Sequence, residues 1–221
     1  GGGFGRNPNQ RIIEKYIIDQ SSESRPNVLF IPTASAEDKS YTVNFYSCFN
    51  GLDCNPSHLN LFQRTPRIEG LINKADIIYV GGGNTKSMLA VWKEWKLDKL
   101  LFKAYNEGTV LAGVSAGAIC WFDTGITDSW ASNLNYIDCL GILPGSCCPH
   151  YDSEKDRRPS VHKFIEHEKI KSVYAIEDGA AIHFVDDVPY KNISFFKNSK
   201  VFFVDKQNSI VQEKPQKMVS I

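Results

Sequence analysis

Two short apolar segments of this chain end directly in small-residue turns that open onto helix-like sequence. Residues 76–80 (DIIYV) run into residues 81–85 (GGGNT), and residues 109–114 (TVLAGV) run into residues 115–117 (SAG). A buried parallel strand is typically a short apolar run bounded by turn residues, and a helix after it carries the chain back across the sheet. The sequence therefore predicts βα units and a mainly parallel sheet.

The rest of the chain continues this alternation and then changes to hairpins. Further strands are predicted at residues 27–31, 59–62, 172–176, 181–185, 193–196 and 201–204, with a loop at 141–149. Helices are predicted at 9–20, through 41–48, from the cap Thr65 and Pro66 to 74, at 85–92, from the cap Asp98 to 108, at 115–122 and at 159–171. The glycine-rich opening is typical of a loop after a strand, so we expect a first strand before residue 1. Together these elements predict a three-layer α/β domain with C-terminal β-hairpins.

Length, charge and cysteine content limit the partners of this chain. Its 221 residues suit a single domain over 1–221, and 25 Lys and Arg balance 25 Asp and Glu. Without a basic tract or a long apolar run, we expect neither nucleic acid nor a membrane as partner. The six cysteines lack metal-site spacing and are expected to be reduced thiols of a cytoplasmic protein. A small molecule or a peptide is the expected partner.

The segment 113–117 (GVSAG) is a G-x-S-x-G sequence at a predicted strand-to-helix junction. This motif places a serine on a sharp turn, where its hydroxyl is exposed and the flanking glycines let strand and helix pack closely. Ser115 is therefore a candidate nucleophile, and the backbone N–H of Ala116 is a candidate oxyanion donor. The alternative is a glycine-packed turn with an ordinary capping serine.

The turn 81–85 also follows a strand and opens a helix, so its backbone N–H groups could hold an anion. It lacks the lysine of a P-loop and the glycine spacing of a dinucleotide fingerprint. Because both turns leave the carboxyl ends of strands, Gly83 could supply the second oxyanion donor beside Ser115. A plain tight turn is equally compatible with the glycines alone.

A serine nucleophile needs a base, and the candidate bases are His58, His150, His162, His167 and His183. His150 follows Pro149 in a predicted loop, where catalytic groups are commonly carried. The other four fall in a charged helix, before an apolar run or inside an alternating strand. His150 is the candidate base, with a structural turn histidine as the alternative.

The base in turn needs a carboxylate that fixes its tautomer. Glu177 leaves the predicted strand 172–176 at its carboxyl end, the edge at which Ser115 also emerges. Asp128 lies in the segment 124–130, and Asp152 is so close to His150 in sequence that reaching its ring requires a tight turn. A solvated loop carboxylate is the alternative for all three, and position favours Glu177 mildly.

These segments, in this order, resemble the aspartyl dipeptidase (peptidase E) and cyanophycinase family of serine peptidases. The carrying stretches are 79–85 (YVGGGNT), 113–118 (GVSAGA), 148–152 (CPHYD) and 176–179 (IEDG). The resemblance implies a flavodoxin-like relative of the class I glutamine amidotransferase fold, a Ser-His-acid triad, and no metal or organic cofactor. Ser115 and His150 match the nucleophile and base. Glu177 matches the acid of the cyanophycinase branch, and Asp128 is the rival from the dipeptidase branch.

The sequence thus predicts a serine peptidase that cleaves short peptides, with a possible acidic preference, through a covalent acyl-enzyme. Its oxyanion donors are Gly83 and Ala116, and its expected substrate-binding residues are Asn84, Trp130, Arg157 and Arg158. Solvated charges beside a helix start are the alternative for the two arginines. The competing functions are an α/β-hydrolase-type esterase and a non-catalytic module that binds a small, phosphorylated ligand at 81–85. A homodimer is also possible.

Overall fold

A computed structural model describes residues 3–5, 11–64, 67–130, 133–196 and 198–221. Contacts between Cα atoms divide the chain into two compact units, residues 3–118 and residues 119–221. The first unit contains a four-stranded sheet, the second contains a six-stranded and a three-stranded sheet, and each unit has its own hydrophobic core. The prediction that residues 1–221 form one domain stays a prediction.

The first unit is a succession of strands and helices around a four-stranded sheet. Its strands are β1 (Asn27–Ile31), β2 (Asn55–His58), β3 (Ile77–Val80) and β4 (Val110–Gly113). Its helices are α1 (Ile12–Ile18), a 3-10 turn (Thr33–Ser35), α2 (Lys39–Phe49), α3 (Ile68–Ile72), α4 (Thr85–Glu94), α5 (Leu97–Asn106) and the start of α6 (Ala116–Ile119). The strand order is β2-β1-β3-β4, and all three pairings are parallel. The predicted α/β class with parallel strands is therefore confirmed.

An aromatic cluster forms the core of this unit. The Phe4 ring lies edge-on to Phe30 at 5.5 Å, and Phe30 stacks on Phe45 at 4.7 Å. Phe49 and Tyr79 complete the cluster. All four residues of β3 are buried, as expected for a central parallel strand covered on both faces.

Two predicted boundaries in this unit are wrong. The second strand covers Asn55–His58 rather than 59–62, because pairing with β1 runs from Asn55 to His58. Pro56 is tolerated there because β2 is an edge strand, where a missing N–H need not break the ladder. Asp98 is not a cap either, since α5 begins one residue earlier, at Leu97. The predicted cap Thr65 and Pro66 lie outside the described residues.

The second unit combines parallel and antiparallel strand pairs with a helix. Its elements are β5 (Phe122–Thr127), β6 (Asn135–Asp138), β7 (Leu143–Cys148), α7 (Arg157–Glu166), β8 (Ser172–Ile176), β9 (Ala180–Val185), β10 (Val188–Ser194), β11 (Val201–Gln207), β12 (Ile210–Pro215) and β13 (Met218–Ser220). A six-stranded sheet has the order β12-β11-β8-β7-β5-β6, with β7 parallel to both β5 and β8. A three-stranded sheet has the order β13-β10-β9. The antiparallel pairs β9–β10 and β11–β12 confirm the predicted hairpins.

The predicted loop at 141–149 is largely a strand. β7 pairs on both sides and buries Ser146, Cys147 and Cys148, so a central strand is built from turn-like residues. The Pro and Gly residues of β7 made this segment resemble a loop in the sequence. Its strand conformation is defined by pairing with neighbouring strands and not by local propensity. The helix predicted at 115–122 is similarly shortened to four residues, since Phe122 already begins β5.

All six cysteines are free thiols, and five of them are buried. Within the described parts of the chain, no helix has the length and apolar character needed to cross a membrane.

Candidate active site

Ser115 occupies a tight turn between β4 and α6. Its φ is +54°, a left-handed conformation that is uncommon for a residue with a side chain. A Cβ on Gly113 would lie 2.0 Å from the carbonyl oxygen of Gly117, and a Cβ on Gly117 would lie 2.1 Å from that of Val80. Both flanking positions therefore require glycine, which is the local geometry of a nucleophile elbow.

The turn 81–84 lies beside Ser115. A Cβ on Gly82 would lie 3.9 Å from Ser115 Oγ, and the Gly82 N–H donates to the Tyr41 hydroxyl at 3.4 Å. Gly83 has a φ of +139°, and a Cβ there would lie 2.1 Å from the carbonyl oxygen of Ala34. Close backbone approach thus fixes this turn next to the candidate nucleophile.

Both candidate oxyanion donors belong to segments that meet at Ser115. Ala116 is the first residue of α6, so its N–H has no acceptor within the helix. Gly83 precedes Asn84, whose N–H donates to the Ala34 carbonyl at 2.7 Å. The Asn84 side chain caps α4 by accepting from the Ser87 N–H at 2.8 Å. If Asn84 also binds substrate, as predicted, the same side chain must serve both as helix cap and as substrate ligand.

His150 follows β7 and is bound by a carboxylate of its own unit. Its φ is +56°, and its Nδ1 lies 2.8 Å from Asp178 Oδ1. The His150 side chain is only 16% exposed and the Asp178 side chain 24%. A carboxylate accepts a hydrogen bond from Nδ1–H, so it favours the tautomer whose Nε2 carries the lone pair. This arrangement suits a general base that acts through Nε2.

The expectation that Glu177 orients His150 is wrong for this structure. The Glu177 carboxylate accepts from the Lys200 N–H at 2.8 Å, and Asp178 occupies the predicted place. Glu177 and Asp178 both follow β8, which ends at Ile176, and both carry a carboxylate. The sequence therefore held no signal that distinguished Asp178 from its neighbour.

The loop that carries Asp178 is fixed by contacts on both sides. The Asp178 N–H donates to Asp152 Oδ1 at 2.8 Å, and Ser199 Oγ donates to the Asp178 carbonyl at 2.7 Å. Gly179 follows with a φ of +80°, and a Cβ there would lie 2.2 Å from the Phe196 ring. Asp152, considered above as the acid, therefore supports the backbone of the residue that contacts His150.

The charge state of Asp178 follows from competing effects. Burial acts to raise the pKa of its carboxyl group, while the charge of His150 and hydrogen bonds from His150 and Ser153 act to lower it. The lowering effects prevail, so the pKa of Asp178 lies below its ordinary value. Asp178 is therefore ionised at neutral pH and can stabilise an imidazolium at His150.

Asp128 and Arg157 contact each other rather than His150 Nδ1. Asp128 is 69% exposed, and its Oδ1 lies 3.6 Å from Arg157 Nη2. The buried Arg157 also donates to Glu154 Oε2 at 2.7 Å and to the Ile126 carbonyl at 2.9 Å. The burial of this guanidinium among protein acceptors does not favour Arg157 as a substrate ligand, and that role stays a prediction.

Of the remaining predicted substrate residues, Arg158 is half-exposed and Trp130 half-buried. The Arg158 guanidinium lies 4.4 Å from the centre of the Tyr151 ring and pairs with Glu213. The other histidines contact groups of their own units: Tyr46 for His58, Glu213 for His162, the Lys163 carbonyl for His167 and the Tyr190 ring for His183.

Comparison with known proteins decides the family. The model of Peptidase family S51 matches residues 1–189. The chain belongs to peptidase family S51. The S51 chain is 46% identical over 205 residues to the uncharacterized peptidase YgaJ of Bacillus subtilis, covering 92% of this chain and 89% of that protein. It is 31% identical over 181 residues to Peptidase E of Pasteurella multocida, covering 77% and 75%.

A solved structure supports the fold independently. The crystal structure of a peptidase from an acI-B1 Actinobacterium matches with a TM-score of 0.68 at 16% identity, covering 99% of this chain and 92% of that one. At this identity the likeness concerns the fold alone. Family membership makes this S51 chain a peptidase of the serine type, related to peptidase E.

Proposed function

We propose that Ser115, His150 and Asp178 form the catalytic triad of a peptidase that cleaves short peptides. The observation that carries this proposal is the elbow at Ser115, where a left-handed serine lies between two positions that only glycine can occupy. The 2.8 Å contact between His150 Nδ1 and Asp178 Oδ1 supports the assignment of the base and the acid. In chain order the three are Ser, His and acid, unlike the Ser, acid, His order of α/β-hydrolases. The esterase alternative is therefore not favoured.

In the proposed reaction, Ser115 Oγ forms a bond to the scissile carbonyl carbon while its proton passes to His150 Nε2. The carbonyl oxygen becomes an oxyanion, which the N–H groups of Ala116 and Gly83 stabilise. The C–N bond then breaks, and the leaving amine takes the proton from His150. A water molecule then gives a proton to His150 Nε2 and attacks the acyl carbon. The bond between that carbon and Ser115 Oγ breaks, and Ser115 Oγ takes the proton back from His150, while Asp178 stays ionised throughout.

The preference for an acidic residue is part of the proposal and is supported by the resemblance to aspartyl dipeptidases. The burial of Arg157 makes it a less favourable ligand than Asn84, Trp130 and Arg158, which are the residues of this proposal. Arg158 alone among these carries a positive charge that an acidic side chain could contact.

The test combines covalent labelling with peptide hydrolysis. A fluorophosphonate probe should modify Ser115, and a dipeptide library should contain substrates that Ser115→Ala hydrolyses at least about 10³-fold more slowly in kcat. Ser87→Ala, which changes a serine one turn into α4, is the matched control and should keep full activity. Hydrolysis that survives Ser115→Ala would exclude Ser115 as the nucleophile.

A further inference from the structure

Tyr151, the neighbour of His150, is buried and anchored at both ends of the residue. Its hydroxyl donates to Glu213 Oε1 at 2.5 Å, and its backbone N–H donates to the Ile176 carbonyl at 3.1 Å. The ring packs against Phe202 with 5.9 Å between centroids. Side chain and backbone of Tyr151 are thus fixed to different strands, β12 and β8.

Glu213 joins this tyrosine to two basic groups of α7. Its carboxylate contacts Arg158 and lies 2.7 Å from His162 Nε2. Burial acts to raise the pKa of Glu213, but hydrogen bonds from Tyr151 and His162 and the charge of Arg158 bring it below its ordinary value. An ionised, largely buried carboxylate with three partners is held rigidly, because each partner lost would leave charge uncompensated.

A rigid Tyr151 matters because His150 has a φ of +56°. A non-glycine residue keeps such a conformation only where its surroundings determine it, since the left-handed region is unfavourable for a residue with a side chain. The contacts of Tyr151 restrain the backbone immediately after His150. The backbone that carries the imidazole is therefore restrained on its C-terminal side.

We propose that Tyr151 and Glu213 are positioning residues that hold His150 in the conformation in which it meets Asp178. The proposal rests on the function proposed above, because it concerns the base of that reaction. It extends the active-site machinery to β12, since Glu213 lies beyond the residues 1–189 that match the family. The β11–β12 hairpin then contributes to catalysis through Tyr151.

The kinetic test uses Tyr151→Phe, which removes one hydroxyl and keeps the ring. We expect kcat to fall about tenfold with KM unchanged, because a displaced base slows the chemical step without weakening substrate binding. Glu213→Gln should give a similar loss of kcat, and the double variant should lose no more kcat than the slower single variant. Because Glu213 also pairs with Arg158, a candidate substrate ligand, the KM criterion applies to Tyr151→Phe alone. Lys214→Gln is the matched control: it changes the neighbouring residue of β12, which pairs with Asp205 at 3.0 Å, and should keep full kcat.

A second measurement does not depend on turnover. The His150 Nδ1–H proton, assigned by its loss in His150→Gln, should exchange with solvent about fivefold faster in Tyr151→Phe than in wild type, as loss of one hydrogen bond predicts. Unchanged exchange in Tyr151→Phe, or a lower Tm with kcat and exchange both unchanged, would overturn the proposal and leave these residues a structural role. If wild type is neither labelled nor active but exchange still accelerates, the proposed function fails and the positioning role stands.

Discussion

At the residue scale, the two groups proposed to exchange a proton share one backbone feature. Ser115 and His150 have φ values of +54° and +56°. Each such residue costs on the order of 1–2 kcal/mol relative to a right-handed or extended one. The cost is borne at the positions where a side chain must project from a turn, as expected when strain is part of the pre-organisation of a site.

The identity of the acid can be tested by two substitutions at neighbouring positions. Asp178→Asn should lower kcat by a factor of about 10³–10⁴, because an amide stabilises neither the correct tautomer of His150 nor its imidazolium. Glu177→Gln should change kcat by less than about threefold, since its carboxylate contacts the Lys200 N–H and an amide oxygen can accept the same bond. Steady-state kinetics on folded variants, checked by circular dichroism, measures both. A large loss at Glu177 with activity retained in Asp178→Asn would return the role to Glu177.

The sequence could predict the positions of Ser115 and His150 but not the partner of His150. Ser115 is specified locally, by glycines whose necessity the turn itself explains. The acid depends on which side of a chain each side chain faces after β8, and Glu177 and Asp178 are chemically alike. The burial of Arg157 could not be predicted for a similar reason, because only the packing of its unit reveals that an arginine at a helix start is buried.

At the element scale, the strand-turn-helix junction at Ser115 depends on backbone contact more than on side-chain packing. Gly113→Ala would place a Cβ 2.0 Å from the Gly117 carbonyl oxygen, so β4 and α6 must separate. We expect a loss of about 3 kcal/mol in the free energy of unfolding, together with loss of Ser115 labelling. Urea unfolding and the fluorophosphonate probe measure these two effects.

Gly70→Ala is the matched control for that prediction. Gly70 lies within α3, and the nearest atom to an added Cβ is the Arg67 Cβ at 3.7 Å. Because alanine favours a helix interior by about 1 kcal/mol over glycine, this variant should be as stable as wild type or slightly more so. Equal effects of the two substitutions would mean that the elbow tolerates a side chain.

Elements were predictable where local pattern and environment agree. Runs such as Ile77–Val80 are apolar and are buried on both faces, so the pattern identifies the strand. β7 has turn-like residues but central pairing partners on both sides, and β2 includes a proline that only its edge position permits. Both were misplaced because tertiary pairing, which a single sequence does not display, overrides propensity.

At the scale of the whole molecule, the proposed triad joins three residues that are far apart in the sequence, Ser115, His150 and Asp178. When two groups act in one chemical step, their substitutions lower kcat non-additively, because removing either group already abolishes the step to which both contribute. When two groups act independently, the fold-losses of kcat multiply.

We therefore expect Ser115→Ala and His150→Ala each to lower kcat by at least about 10³-fold, and the double variant to be no slower than the slower single variant. The residual rate should be the same in all three, since it reflects binding and oxyanion stabilisation by Gly83 and Ala116, which neither substitution removes. Single-turnover hydrolysis of a dipeptide substrate measures the three rates, with intact folding checked by thermal unfolding. A double variant slower by the product of the two single losses would show that Ser115 and His150 do not act on the same step, and the triad would have to be abandoned.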